Sequence, residues 1–163
     1  MVISTGDTLP AESLVRMGAE GPEQATIVEL TEGRKVIIFG LPGAFTPTCS
    51  SAHVPSFVRT KDQFTAKGVD EIICVAVNDV FVMQEWGKAT GAVEAGLSFW
   101  ADPASAFTTA IGMNFDAAPV GLFGRSARYA MLVEDGVVSI LHQEEVRGVC
   151  ELTSGESMLA DMA

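Results

Sequence analysis

The stretch LPGAFTPTCSSAHVPSF, residues 41–57, gathers the side chains of this chain best placed to do chemistry. Cys49 follows a Thr-Pro step, so Pro47 falls at a first helical position and Cys49 in the first turn of the helix it opens. Free backbone N–H groups and the helix macrodipole favour negative charge there, which stabilises a thiolate. A cysteine can also serve as a small buried apolar residue. Here, however, the neighbours Thr48, Ser50 and Ser51 are polar, and a reactive sulfur is the better reading. Thr46 can aim its hydroxyl at an oxygen approaching that sulfur or cap the helix, and the two roles are compatible. Pro42 would shield such a pocket from bulk water. A thiolate that attacks one oxygen of an O–O bond releases the other as alkoxide or hydroxide, so the site needs donors that follow the moving charge. His53, four residues after Cys49, shares its helical face and raises the rival of a cysteine hydrolase. That chemistry wants an imidazole across a cleft, oriented by an Asn or Asp. Support or packing beneath the pocket therefore suits His53 better.

Pro42, Thr46 and Cys49 together spell P-x-x-x-T-x-x-C, and this motif resembles the signature of the peroxiredoxins. The stretches KGVDEIICVAVNDVFVMQEWG and RSARYAMLVEDGVV are similar to the type II, or peroxiredoxin-5, branch of plants, fungi and many bacteria, and the resemblance runs from about residue 3 to 163. It implies a thioredoxin-like fold and a thiol peroxidase that reduces hydrogen peroxide and alkyl hydroperoxides, with Cys49 cycling through sulfenic acid and no metal, haem or flavin cofactor. Carried onto this chain, it makes Cys49 the peroxidatic cysteine, Thr46 the hydrogen-bonding partner of the peroxide, Pro42 the cover of the site and Arg128 the guanidinium that stabilises the thiolate. The residues alone already set Arg128 apart. It opens an apolar strand, where a charge is costly unless it meets an anion. Arg125 lies nearer a glycine-rich loop and is expected to be a solvated surface residue. The resemblance also implies an apolar rim for organic hydroperoxides from Phe45, Leu122 and Phe123, although core packing explains these equally well. Dimers in this branch form through loops around the active site, so a homodimer is expected and an exposed Phe45 or Phe81 would meet the partner.

Reduction of the oxidised sulfur leaves alternatives open. Cys74 lies in the apolar run EIICVAVND and reads as core, with a raised pKa and little access. Cys150 lies in the polar EEVRGVCELTSGES, reads as mobile and is the better candidate resolving residue, which would give an atypical two-cysteine cycle drawing on thioredoxin. The plant-like resemblance instead implies glutathione with glutaredoxin, which needs no second protein cysteine. A thioredoxin-type oxidoreductase is disfavoured because no C-x-x-C pair exists. A sensor that passes oxidation from Cys49 to a client remains the non-enzymatic alternative.

The rest of the chain must position these residues. At 163 residues, with 48% hydrophobic and 19% charged, it is expected to fold as a single domain over 1–163 and not as a disordered chain. A net charge of −11 argues against nucleic acid or an anionic membrane as partner. Three cysteines and two histidines make neither a disulfide framework nor a metal site an expectation. No apolar run reaches the roughly 18 residues of a membrane span, and MVISTGDTLP has no basic stretch leading an apolar one, so a soluble cytoplasmic protein is expected.

TIVEL (26–30) and KVIIFGL (35–41) read as strands, the second apolar on both faces and therefore central. Thr46 to Gly68 reads as a helix with a kink at Pro55. EIICVAVND (71–79) and LSFWAD (97–102) read as strands, with VFVMQEWGKATG between them and PASAFTTAIG after them as helices. AAPVGLFGRSAR reads as a loop. RYAMLVEDGVVSIL reads as a hairpin turning at Asp135-Gly136, and SGESMLADMA as a helix capped by Ser154. The order predicts an α/β, thioredoxin-like architecture, a central mixed β-sheet flanked by helices.

Overall fold

Three parallel strands whose side chains are apolar on both faces form the middle of the sheet in the computed structural model, which describes residues 2–162. Numbered in chain order, β1 is Ser13–Gly18, β2 Gly21–Thr26, β3 Lys35–Gly40, β4 Glu71–Ala76, β5 Ser98–Ala101, β8 Tyr129–Glu134 and β9 Val137–Gln143. They make one seven-stranded mixed sheet in the order β2-β1-β5-β4-β3-β8-β9. On one face Ile37, Phe39, Ile72, Cys74 and Phe99 pack beneath α2 (Val54–Ala66), α3 (Val80–Ala89) and α5 (Gly155–Asp161). On the other, Val36, Ile38, Ile73, Val75 and Trp100 meet α1 (Ile27–Thr31) and α4 (Ala106–Ala110). Alternate residues of each central strand thus serve opposite layers, which is why those strands read as unbroken apolar runs. The expected thioredoxin-like α/β fold is present, and no helix among the described residues is long and apolar enough to cross a membrane.

Two expectations fail locally. TIVEL is not a strand but α1, because Thr26 and Glu29 close a capping box: the Thr26 hydroxyl accepts the Glu29 N–H at 3.1 Å, and the Glu29 carboxylate accepts the Thr26 N–H at 2.7 Å. These reciprocal bonds outweigh the weak β-preference of Ile27 and Val28. The glycine-rich stretch 117–128 is not all loop either. Its residues belong to β6 (Asn114–Ala117) and β7 (Leu122–Ser126), a separate two-stranded sheet joined through the 3-10 turn Ala118–Val120. The Asp135-Gly136 hairpin does form, with both residues left-handed at φ 50° and 78°.

The helix that starts after Thr46 changes pitch instead of simply kinking. Cys49–His53 is a π-helical turn, in which the Val54 N–H reaches back to the Cys49 carbonyl, and α2 follows. Pro55, with no N–H to give, sits where the pitch returns to α, so the disturbance it causes falls on the turn that carries the cysteine. At the other end of β3, Gly40 pairs with Tyr129 and lies against its ring, where a Cβ would come within 2.2 Å of the ring carbon Cε1. Gly40→Ala is expected to destabilise the fold at the upper end of the roughly 1–3 kcal/mol typical of overpacking. A lowered denaturant midpoint at unchanged m-value would show it, and a wild-type midpoint would mean the Tyr129 ring can move aside.

Candidate active site

Gly40 and Tyr129 are register partners, so the chain leaving β3 toward Pro42 starts beside the residue that precedes β8, which is Arg128. Helix α2 packs on the same sheet face and brings the π-turn over this point. The result is a buried chain of three side chains. Arg128 Nη2 donates to Cys49 Sγ at 3.3 Å, and Arg128 Nη1 donates to His53 Nδ1 at 3.0 Å. His53 Nε2 in turn donates to the Thr153 carbonyl at 3.0 Å. With Nε2 carrying the proton, Nδ1 is free to accept, and the ring is neutral. Burial, together with the adjacent Arg128 charge, pushes the His53 pKa well below its ordinary value. Of these three buried side chains, His53 therefore adds no positive charge to that of Arg128. Phe39 and Phe57 fix the imidazole, with ring centroids 4.9 and 5.7 Å from it. His53 thus sits beneath the cysteine as support, and among the described residues no carboxylate or amide side chain orients it as a hydrolase would require.

Thr46 lies at the start of the helix, where its carbonyl accepts the Ser50 N–H at 3.1 Å, yet its side chain does not cap. The hydroxyl donates to the Gly43 carbonyl at 2.7 Å, leaving its lone pairs to accept from a ligand. Beside Arg128 is a cavity of about 190 Å³, lined among others by Pro42, Phe115, Glu144, Val146 and Arg147. The apolar ring in this lining is Phe115 of β6, and neither Cys49 nor Thr46 is among the described lining residues. Leu122 is half-buried on β7, while Phe45 and Phe123 are 59% and 64% exposed and do not line the cavity. Arg125 also departs from expectation. It is half-buried, and its Nη1 donates to the Pro42 carbonyl at 3.0 Å.

One wall of the site comes from the segment after β9. Glu144 donates its N–H to the Arg128 carbonyl at 3.1 Å, and its Oε1 accepts the Glu151 N–H, the Thr153 N–H and the Thr153 hydroxyl at 2.7, 2.9 and 3.0 Å. Thr48 adds a bond from its hydroxyl to the Gly148 carbonyl at 2.9 Å. The polar EEVRGVCELT run is thus folded around one carboxylate, an order its composition does not suggest.

A family model described as Redoxin matches residues 4–159. The chain is 44% identical over 161 residues to the chloroplastic Peroxiredoxin-2E-2 of Oryza sativa subsp. japonica, covering 96% of this chain and 71% of that one. The chain belongs to the peroxiredoxins. Its fold superposes on the crystal structure of reduced Prx3 from Vibrio vulnificus in complex with H2O2 with a TM-score of 0.92 at 43% identity, covering 99% of this chain and 100% of that one. Peroxiredoxin 5 from Alvinella pompejana gives 0.86 at 31% identity over 98% and 97% of the two chains. This peroxiredoxin is of type II, and its activity is that of a thiol peroxidase, an oxidoreductase.

The other two cysteines of this peroxiredoxin are unpaired and differ in access. Cys74 is fully buried on β4, and burial pushes its thiol pKa well up. Cys150 is half-buried, with its sulfur 3.7 Å from the Thr153 hydroxyl, and its pKa too is raised by burial.

The neutral state of His53 makes stability depend on pH. Because the folded-state pKa is depressed, unfolding takes up a proton below the ordinary imidazole pKa of about 6.5. This group's contribution is complete above that pH and is lost as the pH falls below it. His53→Gln should therefore flatten the rise of unfolding free energy between about pH 5 and 7 by up to about 1.4 kcal/mol per pH unit. Denaturant titrations across that range check it, and an unchanged slope would mean that His53 is not the group concerned.

Proposed function

We propose that Cys49 is the peroxidatic cysteine of a cycle that reduces hydrogen peroxide and alkyl hydroperoxides, with Thr46, Pro42 and Arg128 completing the site. The observation that carries this reading is the buried Arg128 guanidinium bonded to Cys49 Sγ, with no carboxylate among the described residues to pair it. In the reaction the thiolate attacks one peroxide oxygen, the S–O bond forms and the O–O bond breaks. The leaving oxygen departs as hydroxide or alkoxide and takes a proton from solvent, so water or alcohol is released and Cys49 is left as sulfenic acid. The Thr46 lone pairs accept the hydrogen of the bound peroxide. Arg128 Nε, buried and without a partner among the described residues, is free to donate to an oxygen that gains charge. The H2O2 complex of the similar Vibrio vulnificus protein supports peroxide as the substrate class.

Glutathione with glutaredoxin is the proposed reductant. Sulfenic acid and glutathione condense to a mixed disulfide with loss of water, and glutaredoxin removes the glutathionyl group. Support comes from the raised pKa values of Cys74 and Cys150, which make both poor attacking thiols near neutral pH. The half-exposed Cys150, in the loop tied to Thr48, favours an atypical two-cysteine cycle with thioredoxin as the second reading. A homodimer accords with the exposed rings of Phe45, Phe81 and Phe123, and a reducing compartment such as the cytoplasm accords with three free thiols.

Cys49→Ser should abolish peroxide reduction with the fold retained, and turnover surviving it would sink the proposal. Thr46→Val should slow the peroxide reaction roughly 10²-fold, the scale of one lost hydrogen-bonding group at a transition state, while Thr46→Ser stays mild. Cys150→Ser should keep most turnover with glutathione and glutaredoxin. A quantitative Cys49–Cys150 disulfide by mass spectrometry, with activity lost in Cys150→Ser, would establish the two-cysteine cycle instead.

A further inference from the structure

Gly43 joins two peptide groups that are each held by one side chain from elsewhere in the fold. The Pro42 carbonyl, in the peptide before Gly43, accepts from Arg125 Nη1 of β7 at 3.0 Å. The Ala44 N–H, in the peptide after it, donates to Oδ1 of Asn78, just past β4, at 2.9 Å. That second peptide also contains the Gly43 carbonyl, which accepts both the Thr46 hydroxyl at 2.7 Å and the Thr46 N–H at 3.3 Å. Because a peptide group is planar, fixing the Ala44 N–H fixes the direction of the Gly43 carbonyl, and with it the direction in which the Thr46 proton points. The glycine between the two anchors is conformationally permissive and would not hold either peptide by itself. It lies at φ 153°, and a Cβ there would come within 2.2 Å of Arg125 Nη1 and 3.3 Å of Asn78 Oδ1, so both anchors close on the same residue. Neither side chain hydrogen-bonds Cys49, His53 or Arg128.

We infer that Asn78 and Arg125 are positioning residues for peroxide reduction: they clamp the peptides on either side of Gly43 and so orient the Thr46 hydroxyl and the Pro42 cover toward the peroxide. The inference rests on the peroxidase reading above. It separates two properties of the site, the reactivity of the sulfur, which depends on Arg128, and the alignment of the peroxide, which depends on the clamp.

The test compares two rates on the full chain at one pH, the reaction with hydrogen peroxide and the alkylation of Cys49 by iodoacetamide. Asn78→Ala and Arg125→Met are each expected to slow the peroxide reaction about 10-fold or more, the scale of a small misplacement of reacting groups. Alkylation should stay within about twofold of wild type, the range of uncoupled sites. Asn78→Asp keeps the Oδ1 acceptor and should retain most of the peroxide rate. In a Thr46→Val background, Asn78→Ala should add little further loss, because the clamp acts through Thr46. Alkylation falling in parallel with peroxide reduction, near wild-type peroxide rates in Asn78→Ala and Arg125→Met, or full additivity with Thr46→Val would overturn the inference. Should Asn78→Ala fail to fold, the paired rates of Arg125→Met and Asn78→Asp decide alone. Cys49→Ser in the same assay reports separately on the underlying peroxidase reading, since peroxide consumption surviving it removes that reading whatever the clamp variants do.

Discussion

A guanidinium taken out of water must find an anion or strong acceptors, and the arrangement around Arg128 follows from that constraint. Arg128 is 6% exposed, and its side-chain partners are a histidine nitrogen and a cysteine sulfur. A protonated His53 would place a second cation against the first, so burial and repulsion together keep the imidazole neutral and leave its Nδ1 to accept. The other acceptor of that guanidinium is the Cys49 sulfur. Arginine suits this place better than lysine would, because its planar fork reaches both partners at once.

The sheet meets the constraint by geometry. Gly40 and Tyr129 lie side by side, and the absence of a side chain at Gly40 admits the Tyr129 ring, so β3 and β8 deliver Pro42 and Arg128 to one place. The π-turn then carries Cys49 and His53 over that place from α2. Pro55 and the change of pitch are two aspects of one local adjustment, since the proline removes a donor where regular α-helical bonding would have needed it.

The neighbourhood of the candidate site was legible in sequence because Pro42, Thr46, Cys49 and His53 fall within a dozen residues, and because a charged residue opening an apolar strand signals a need for a partner, which Arg128 meets in His53 and Cys49. The central strands were legible for the same kind of reason, their unbroken apolar runs having no use on a half-exposed sheet. What stayed hidden depends on long-range partners. Thr153 meets His53 from 100 positions away, and Glu144 collects three donors from a segment whose composition reads as solvated. Phe115 reaches the cavity only because β6 and β7 pair into a second small sheet, which the run of small residues and glycines concealed. The capping box of Thr26 and Glu29 was present in the sequence, but the β-branched pair beside it pointed to a strand.

Much of the wiring around the cysteine ends on main-chain oxygens: Gly43 for Thr46, Pro42 for Arg125, Thr153 for His53 and Gly148 for Thr48. A carbonyl is present whatever residue supplies it, so point substitution does not by itself delete these acceptors. Chain length is what they are sensitive to. One residue inserted or removed between Glu144 and Thr153 would shift the acceptor away from His53 without changing Cys49, His53 or Arg128 themselves. Heritable variation in this loop is therefore constrained in spacing more than in spelling, and alignments of related chains should tolerate changed letters there more readily than gaps.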